Sequence, residues 1–260
     1  MPNKTAKIIV ITSQKGGVSK TTTSSALADG LHAKGHKSLL IDLDPQCSAS
    51  LISGADTHSK QTIYEAITAQ ITTQEAIQSR KERADILPAS KALARLDAEF
   101  STITGKEYKL KEALAPLLSF YDYIIIDTPP SLGILTVNAL TAADAVLIPT
   151  QADILSLQGI TQLMESVQAV QAYTNSGLIM AGVLLTRYSA RSILSRDMSD
   201  TAEETANKIG TFLYKTTIRE AVAIKEAQAL KESLFTYAPK SNAATDYEAF
   251  VNEFLKRGMI

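Results

Sequence analysis

Ile8-Ile9-Val10-Ile11-Thr12-Ser13, followed by Gln14-Lys15-Gly16-Gly17-Val18-Ser19-Lys20-Thr21-Thr22, carries the sharpest structural signal in the chain. The first six residues are uncharged and rich in β-branched side chains, which predicts a buried strand. A glycine pair, a lysine and two threonines follow, then a helical run from Thr23 to Lys34. Strand, glycine loop and helix in that order form a phosphate cradle. Glycines let backbone N–H groups close on anionic oxygens, and the helix N-terminus adds a favourable dipole. In such a cradle Lys20 reaches the terminal phosphates and the Thr21 hydroxyl sits on Mg²⁺.

The usual pattern G-x-x-x-x-G-K-[ST] is not met, because Gln14 and Ser19 stand where its two glycines belong. What matches is K-G-G-x-x-K-[ST], with a second lysine, Lys15, at its start. This resembles the deviant Walker A family of P-loop ATPases, which includes ParA, MinD, the nitrogenase iron protein and arsenite-pump ATPases. The resemblance implies ATP and Mg²⁺ as cofactors, held by Lys15, Gly16, Gly17, Val18, Ser19, Lys20, Thr21 and Thr22. It also implies that Lys15 crosses a dimer interface to the nucleotide of the opposite subunit. Most members carry glycine at Ser19; if the backbone there needs φ > 0, serine costs about 1 kcal/mol.

Bulk properties set the frame. A chain of 260 residues is long enough for one large α/β domain, expected over 1–260, with ample core. The net charge of −1 means that nucleic-acid binding would need a local basic patch. The single cysteine, Cys47, excludes an internal disulfide and a cysteine metal site, and fits a reducing compartment. With no apolar run of membrane-spanning length and no signal-peptide core, the expectation is a cytoplasmic protein. His32, His36 and His58 form no metal-ligand grouping.

Gly35 reads as the cap of the first helix, and Ser38-Leu39-Leu40-Ile41 as a second buried strand running into Asp42-Leu43-Asp44-Pro45-Gln46. Acidic residues just past the carboxyl end of a strand lie where open α/β sheets bind ligands. The stretch resembles the D-x-D-P-Q switch I motif of ParA proteins. The resemblance gives Asp44 the task of orienting the attacking water and Asp42 that of holding the Mg²⁺ shell or the loop. Thr62 to Gln78 is expected to be helical, as is Lys91 to Phe100; Asp85-Ile86-Leu87 is a short strand, and Lys106 to Leu118 is an amphipathic pattern interrupted by Pro116.

Tyr121-Asp122-Tyr123-Ile124-Ile125-Ile126-Asp127-Thr128-Pro129-Pro130 is an isoleucine-rich strand ending in aspartate, the Walker B arrangement, in which Asp127 engages the Mg²⁺ shell. Its Asp-Thr-Pro-Pro end matches the family's switch II. Ala145 to Pro149 reads as a strand and Ser156 to Tyr173 as a helix burying Leu157, Ile160, Leu163, Met164, Val167 and Val170. The Pro149-Thr150-Gln151-Ala152-Asp153 run again resembles ParA proteins, where it borders the dimer face. Ile179 to Thr186 is the next strand. Strands and helices alternating at this spacing predict an α/β fold, a doubly wound, mostly parallel sheet with helices on both faces.

Arg187, Arg191 and Arg196, then Lys215, Arg219 and Lys225, mark the C-terminal third, diluted by Asp197, Asp200, Glu203, Glu204 and Glu220. In ParA proteins this region supplies a positive surface, across the dimer, for DNA of any sequence. Arg191 falls where chromosomal ParA proteins place a DNA-contacting arginine. Ala223 stands where many carry another, with Arg219 or Lys225 as replacements. The last helix, Ala244 to Lys256, carries Asp246, Glu248 and Glu253. It is expected to pack on the domain rather than to bind a membrane as a MinD protein's basic end does. The resemblance, spanning nearly the whole chain, is to the short ParA group. It implies an ATP-bound homodimer that coats non-specific DNA on the nucleoid and is released by a ParB-like partner, so segregating a plasmid, chromosome or mobile element. A MinD-like membrane-cycling ATPase is the alternative. A nitrogenase-type iron protein would need more cysteines than Cys47.

Overall fold

The computed structural model of the chain describes residues 5–189 and 193–258. Seven strands, β1 (Lys7–Ile11), β2 (Ser38–Asp42), β3 (Asp85–Leu87), β4 (Tyr123–Asp127), β5 (Ala145–Thr150), β6 (Ile179–Tyr188) and β7 (Ile218–Arg219), form one sheet. The order is β3-β2-β4-β1-β5-β6-β7, every neighbouring pair parallel. The expected doubly wound sheet is thus observed.

Strand alternation builds two cores. Ile8, Val10, Leu39, Ile41, Ile124 and Ile126 face one layer, with the helices Ile134–Ala142 and Ile154–Tyr173. Ile9, Ile11, Leu40 and Ile125 face the other, with the first helix, Lys20–Ala33, and the last, Asn242–Arg257. Because both faces are covered, the strands read as continuous apolar runs rather than alternating ones. The last helix buries Tyr247, Phe250, Val251 and Phe254 as expected from its spacing. It lies so close to the first that a Cβ on Gly30 would meet Val251 at 2.7 Å.

One expectation fails. Thr62 to Gln78 is not one helix: a capping box of Thr62 and Glu65 starts Ile63–Ile67, and Ala69, at φ 57°, turns the chain out of it. A 3₁₀ turn follows at Gln74–Ala76, and Gln78 then bridges Ile86 antiparallel at the edge of β3. The helix expected over Lys91–Phe100 and the amphipathic run Lys106–Leu118 are short α and 3₁₀ pieces, the second ending in a turn around Pro116.

Between β5 and β6 the register shifts by one residue, and Gly182 sits there at φ 110°. A Cβ at this position would fall 2.7 Å from Tyr214 and 2.8 Å from Phe212, so only glycine fits.

Candidate nucleotide site

Strand register assembles the site. Ile11 pairs with Asp127, and Asp42 pairs with Asp127 from the other side. The glycine loop and both aspartates therefore share one patch at the carboxyl edge of the sheet, where open α/β sheets take ligands.

In the loop, Gly17 has φ 78° and Ser19 φ 62°, so the left-handed position considered above is real and is occupied by serine. A Cβ on Gly16 or Gly17 would meet nothing within 4 Å, which leaves the inner face open to a ligand. The outer face is tied down. Gln151 Nε2 donates to the Gly17 carbonyl at 3.0 Å, and Thr186 Oγ1 donates to the carbonyls of Val18 at 3.1 Å and Thr150 at 3.0 Å. With carbonyls held behind, the loop N–H groups are left for an anion.

Lys20 is 8% exposed, and its Nζ rests 3.3 Å from the Lys15 carbonyl. Burial lowers its pKa, opposed by Asp127 and Asp44. Asp127 is fully buried; Thr21 Oγ1 donates to its Oδ2 and Ser24 Oγ to its Oδ1, both at 2.8 Å. Burial, then the charge of Asp42, pushes Asp127 up to about 7. Burial likewise pushes Asp42 up to about 6, against hydrogen bonds from Ser50 and Asp44. Asp42 takes Ser50 N and Oγ on Oδ2, each at 2.7 Å, and Asp44 N on Oδ1 at 3.1 Å. Of its two expected tasks, these bonds serve the holding of the loop. Asp44, half-buried, projects into the cavity described next while its Oδ1 accepts from Gln46 N.

Lys15 does not point outward alone. Its Nζ makes 2.8 Å contacts with both oxygens of Asp153, the N-cap of the helix Ile154–Tyr173. Burial would raise the Asp153 carboxyl, but the bonds from Lys15 and Ser156 hold it below the ordinary range. The P-T-Q-x-D run thus meets the loop directly, through Gln151 and Asp153.

A cavity of ≈ 660 Å³ opens here, within the roughly 300–1,000 Å³ typical of small-molecule sites. One wall is Gly16, Gly17 and Ser19 to Thr22; the facing wall runs from Ile218 to Gln228. The lining carries three of the residues expected to form a basic surface, Arg187, Arg219 and Lys225. Arg219 is clamped to Asp246 through Nε at 2.9 Å and Nη2 at 2.6 Å. Arg187 pairs with Glu220 at 2.8 Å and reaches the Gly17 carbonyl at 3.4 Å. Lys215 stands apart, beside Lys256 and Arg257. Arg191 and the side chain of Arg196 lie outside the described residues.

Sequence alone does not single out Ser24 or Ser50, and it offers Glu220 and Asp246 only as acidic surface residues. Ser24 alone had a local signal, one helical turn after Thr21 and so on the same face. The partners of the others come from distant segments.

The site fits a nucleotide with a hard cation. The Asp127 carboxylate and the Thr21 hydroxyl offer oxygen donors, and burial first, then the neighbouring Asp42 charge, raises the Asp127 pKa. Among the described residues no group of three or more His, Cys, Asp or Glu side chains could hold a metal. A cation here would need phosphate oxygens as well, as is usual for Mg²⁺.

The profile of the AAA domain family matches residues 6–180. The sporulation initiation inhibitor protein Soj of Bacillus subtilis (strain 168) is 39% identical over 254 residues, covering 97% of this chain and 99% of that protein. The chromosome partitioning protein ParA of Myxococcus xanthus (strain DK1622) is 36% identical over 257 residues, 96% of this chain and 88% of that one. Among solved structures, cobyrinic acid a,c-diamide synthase from Mycobacterium smegmatis, with a bound ATP analogue and magnesium, superposes with a TM-score of 0.85. It is 32% identical, over 97% of this chain and 96% of that chain. With its loop, two carboxylates and full-length likeness to Soj and ParA, the chain belongs to the ParA/Soj group of P-loop ATPases in the AAA domain family.

Proposed function

We propose that the chain is a partition ATPase that dimerises on ATP, binds DNA without regard to sequence, and lets go when a ParB-like protein stimulates hydrolysis. The observation that carries this reading is the open glycine loop facing two buried carboxylates, in a chain alike over nearly its whole length to ParA and Soj.

In this reading Lys20 and the loop N–H groups bind the β- and γ-phosphates. Asp44 orients the attacking water, and Asp127, fixed by Ser24, holds the cation shell together with Thr21. Mg²⁺, when bound, neutralises charge developing on the phosphate oxygens. Lys15 leaves Asp153 for the partner subunit's nucleotide, so that ATP bridges two copies. Loss of the γ-phosphate removes those contacts and ends the dimer.

Contacts to DNA phosphates then fall to Arg191, Arg196 and Lys215, with Arg187, Arg219 and Lys225 assigned to the nucleotide cavity. Pairing two subunits sets two such patches side by side and multiplies a weak affinity. The nucleoid in the cytoplasm is the expected location. A membrane-cycling role gains no support from the last helix, whose apolar face is buried against the first helix and the sheet. No helix among the described residues is long and apolar enough to cross a membrane.

The test is a salt titration of binding to unrelated DNAs with and without ATP and Mg²⁺. Binding that needs ATP, ignores sequence and falls steeply with salt is expected. No binding at low salt with ATP and Mg²⁺ refutes the partition reading and favours a metabolic ATPase like the diamide synthase.

A further inference from the structure

The wall facing the phosphate loop carries one carboxylate, Glu220, across the cavity from Asp44 and the loop. A carboxylate beside a polyphosphate is repelled unless its charge is matched. Here it is matched, since Arg187 Nη2 donates to Glu220 Oε1 at 2.8 Å while Arg187 Nη1 reaches back to the Gly17 carbonyl. Arg187 thus touches both Glu220 and the loop, which puts Glu220 across the cavity from the phosphate-binding backbone. Its side chain is 55% exposed, which puts it at the mouth, beyond the end where Lys20 and Asp127 lie buried.

An ionised carboxylate only accepts hydrogen bonds. A nucleotide lying from the loop toward the mouth offers donors in two places, the ribose hydroxyls and, for adenine, the exocyclic amine. The sugar follows directly after the phosphates, and an acidic side chain reading ribose hydroxyls is a recurring solution in nucleotide sites. Around Glu220 the same wall offers Ile218, Ala221 and Ile224, apolar surface suited to a base rather than to its amine.

We propose that Glu220, held by Arg187, accepts from the ribose hydroxyls of the bound nucleotide and sets a preference for ribo- over deoxyribonucleotides. The inference rests on the reading of this cavity as an ATP site. For a half-exposed acceptor the expected discrimination is roughly tenfold, the low end for a bond to a charged group.

The test is calorimetry on the full chain with ATP, 2′-deoxy-ATP and ITP, the last lacking the amine. The parent should bind ATP roughly tenfold more tightly than 2′-deoxy-ATP, and Glu220→Ala should bring that ratio to one. Removing a negative charge shifts affinity for every nucleotide alike, so the ratio isolates the hydroxyl from changes in folding or field. A ratio of one in the parent, or an unchanged ratio in Glu220→Ala, overturns the proposal. So does loss of discrimination against ITP with the ribose ratio intact, which would give Glu220 the amine. Lys20→Ala separates the two levels: if it binds ATP as the parent does, the cavity is not the nucleotide site at all.

Discussion

The carboxyl edge of β1, β2 and β4 holds few charged residues and the segment after β6 holds many, yet only the first was readable residue by residue. At the first, each functional group lies in a short run that also codes its own scaffold: strand, then loop, then the first turn of a helix. After β6 the charges find partners far along the chain. Arg219 meets Asp246 across 27 positions and Arg187 meets Glu220 across 33. Local sequence can place a charge on an element, but whether that charge is free depends on the packing of a later one.

The largest effect should come from Lys20→Ala, which removes a buried cation from the loop. ATP affinity is expected to fall by about 100-fold or more, read by calorimetry. Retained affinity would break the first half of the comparison. Asp44→Ala comes next. Turnover should drop by at least about 100-fold while ATP binding persists, because the side chain touches the cavity and not the loop. Undiminished turnover would move the water-orienting role to Asp42, despite its bonds to Ser50.

Strand and motif positions were legible because buried parallel strands are continuous apolar runs and the phosphate loop has a fixed grammar. The helix Ile134–Ala142 was not, for a physical reason. It is buried on nearly every side and shows no polar face to set a period, with Asn138 satisfied inside by Leu110 N and the carbonyls of Lys106 and Ile134. The break within Thr62–Gln78 hid behind favourable periodicity, since nothing about Ala69 announces a left-handed backbone. In the site, Asp42 was assigned two tasks, and only the strand register and Ser50 separate them.

In the segment after β6, two arginine substitutions should part company. Arg191→Ala should flatten the salt dependence of DNA binding by about one unit per lost phosphate contact. Arg219→Ala should leave that slope alone and lower the melting temperature, because Asp246 loses the guanidinium and keeps only the backbone N–H of residue 219. If Arg219→Ala flattens the slope instead, the cavity wall is also a DNA surface. The smallest effect belongs to Ser19→Gly. Relief of the left-handed serine outweighs the added freedom of the unfolded chain, so a gain of under about 1 kcal/mol is expected in denaturant melts.

The buried contact between Thr23 Oγ1 and Tyr247 Oη, 3.2 Å apart, joins residues 224 positions distant. Together with the Gly30–Val251 approach, it makes the last helix the seat on which the first one rests. During synthesis the phosphate loop leaves the ribosome early, but its helix has an unfinished apolar side until the end of the chain follows. At 5–20 residues per second that interval lasts roughly ten to forty seconds. A product truncated before Asn242 would leave the helix of the phosphate loop without that seat.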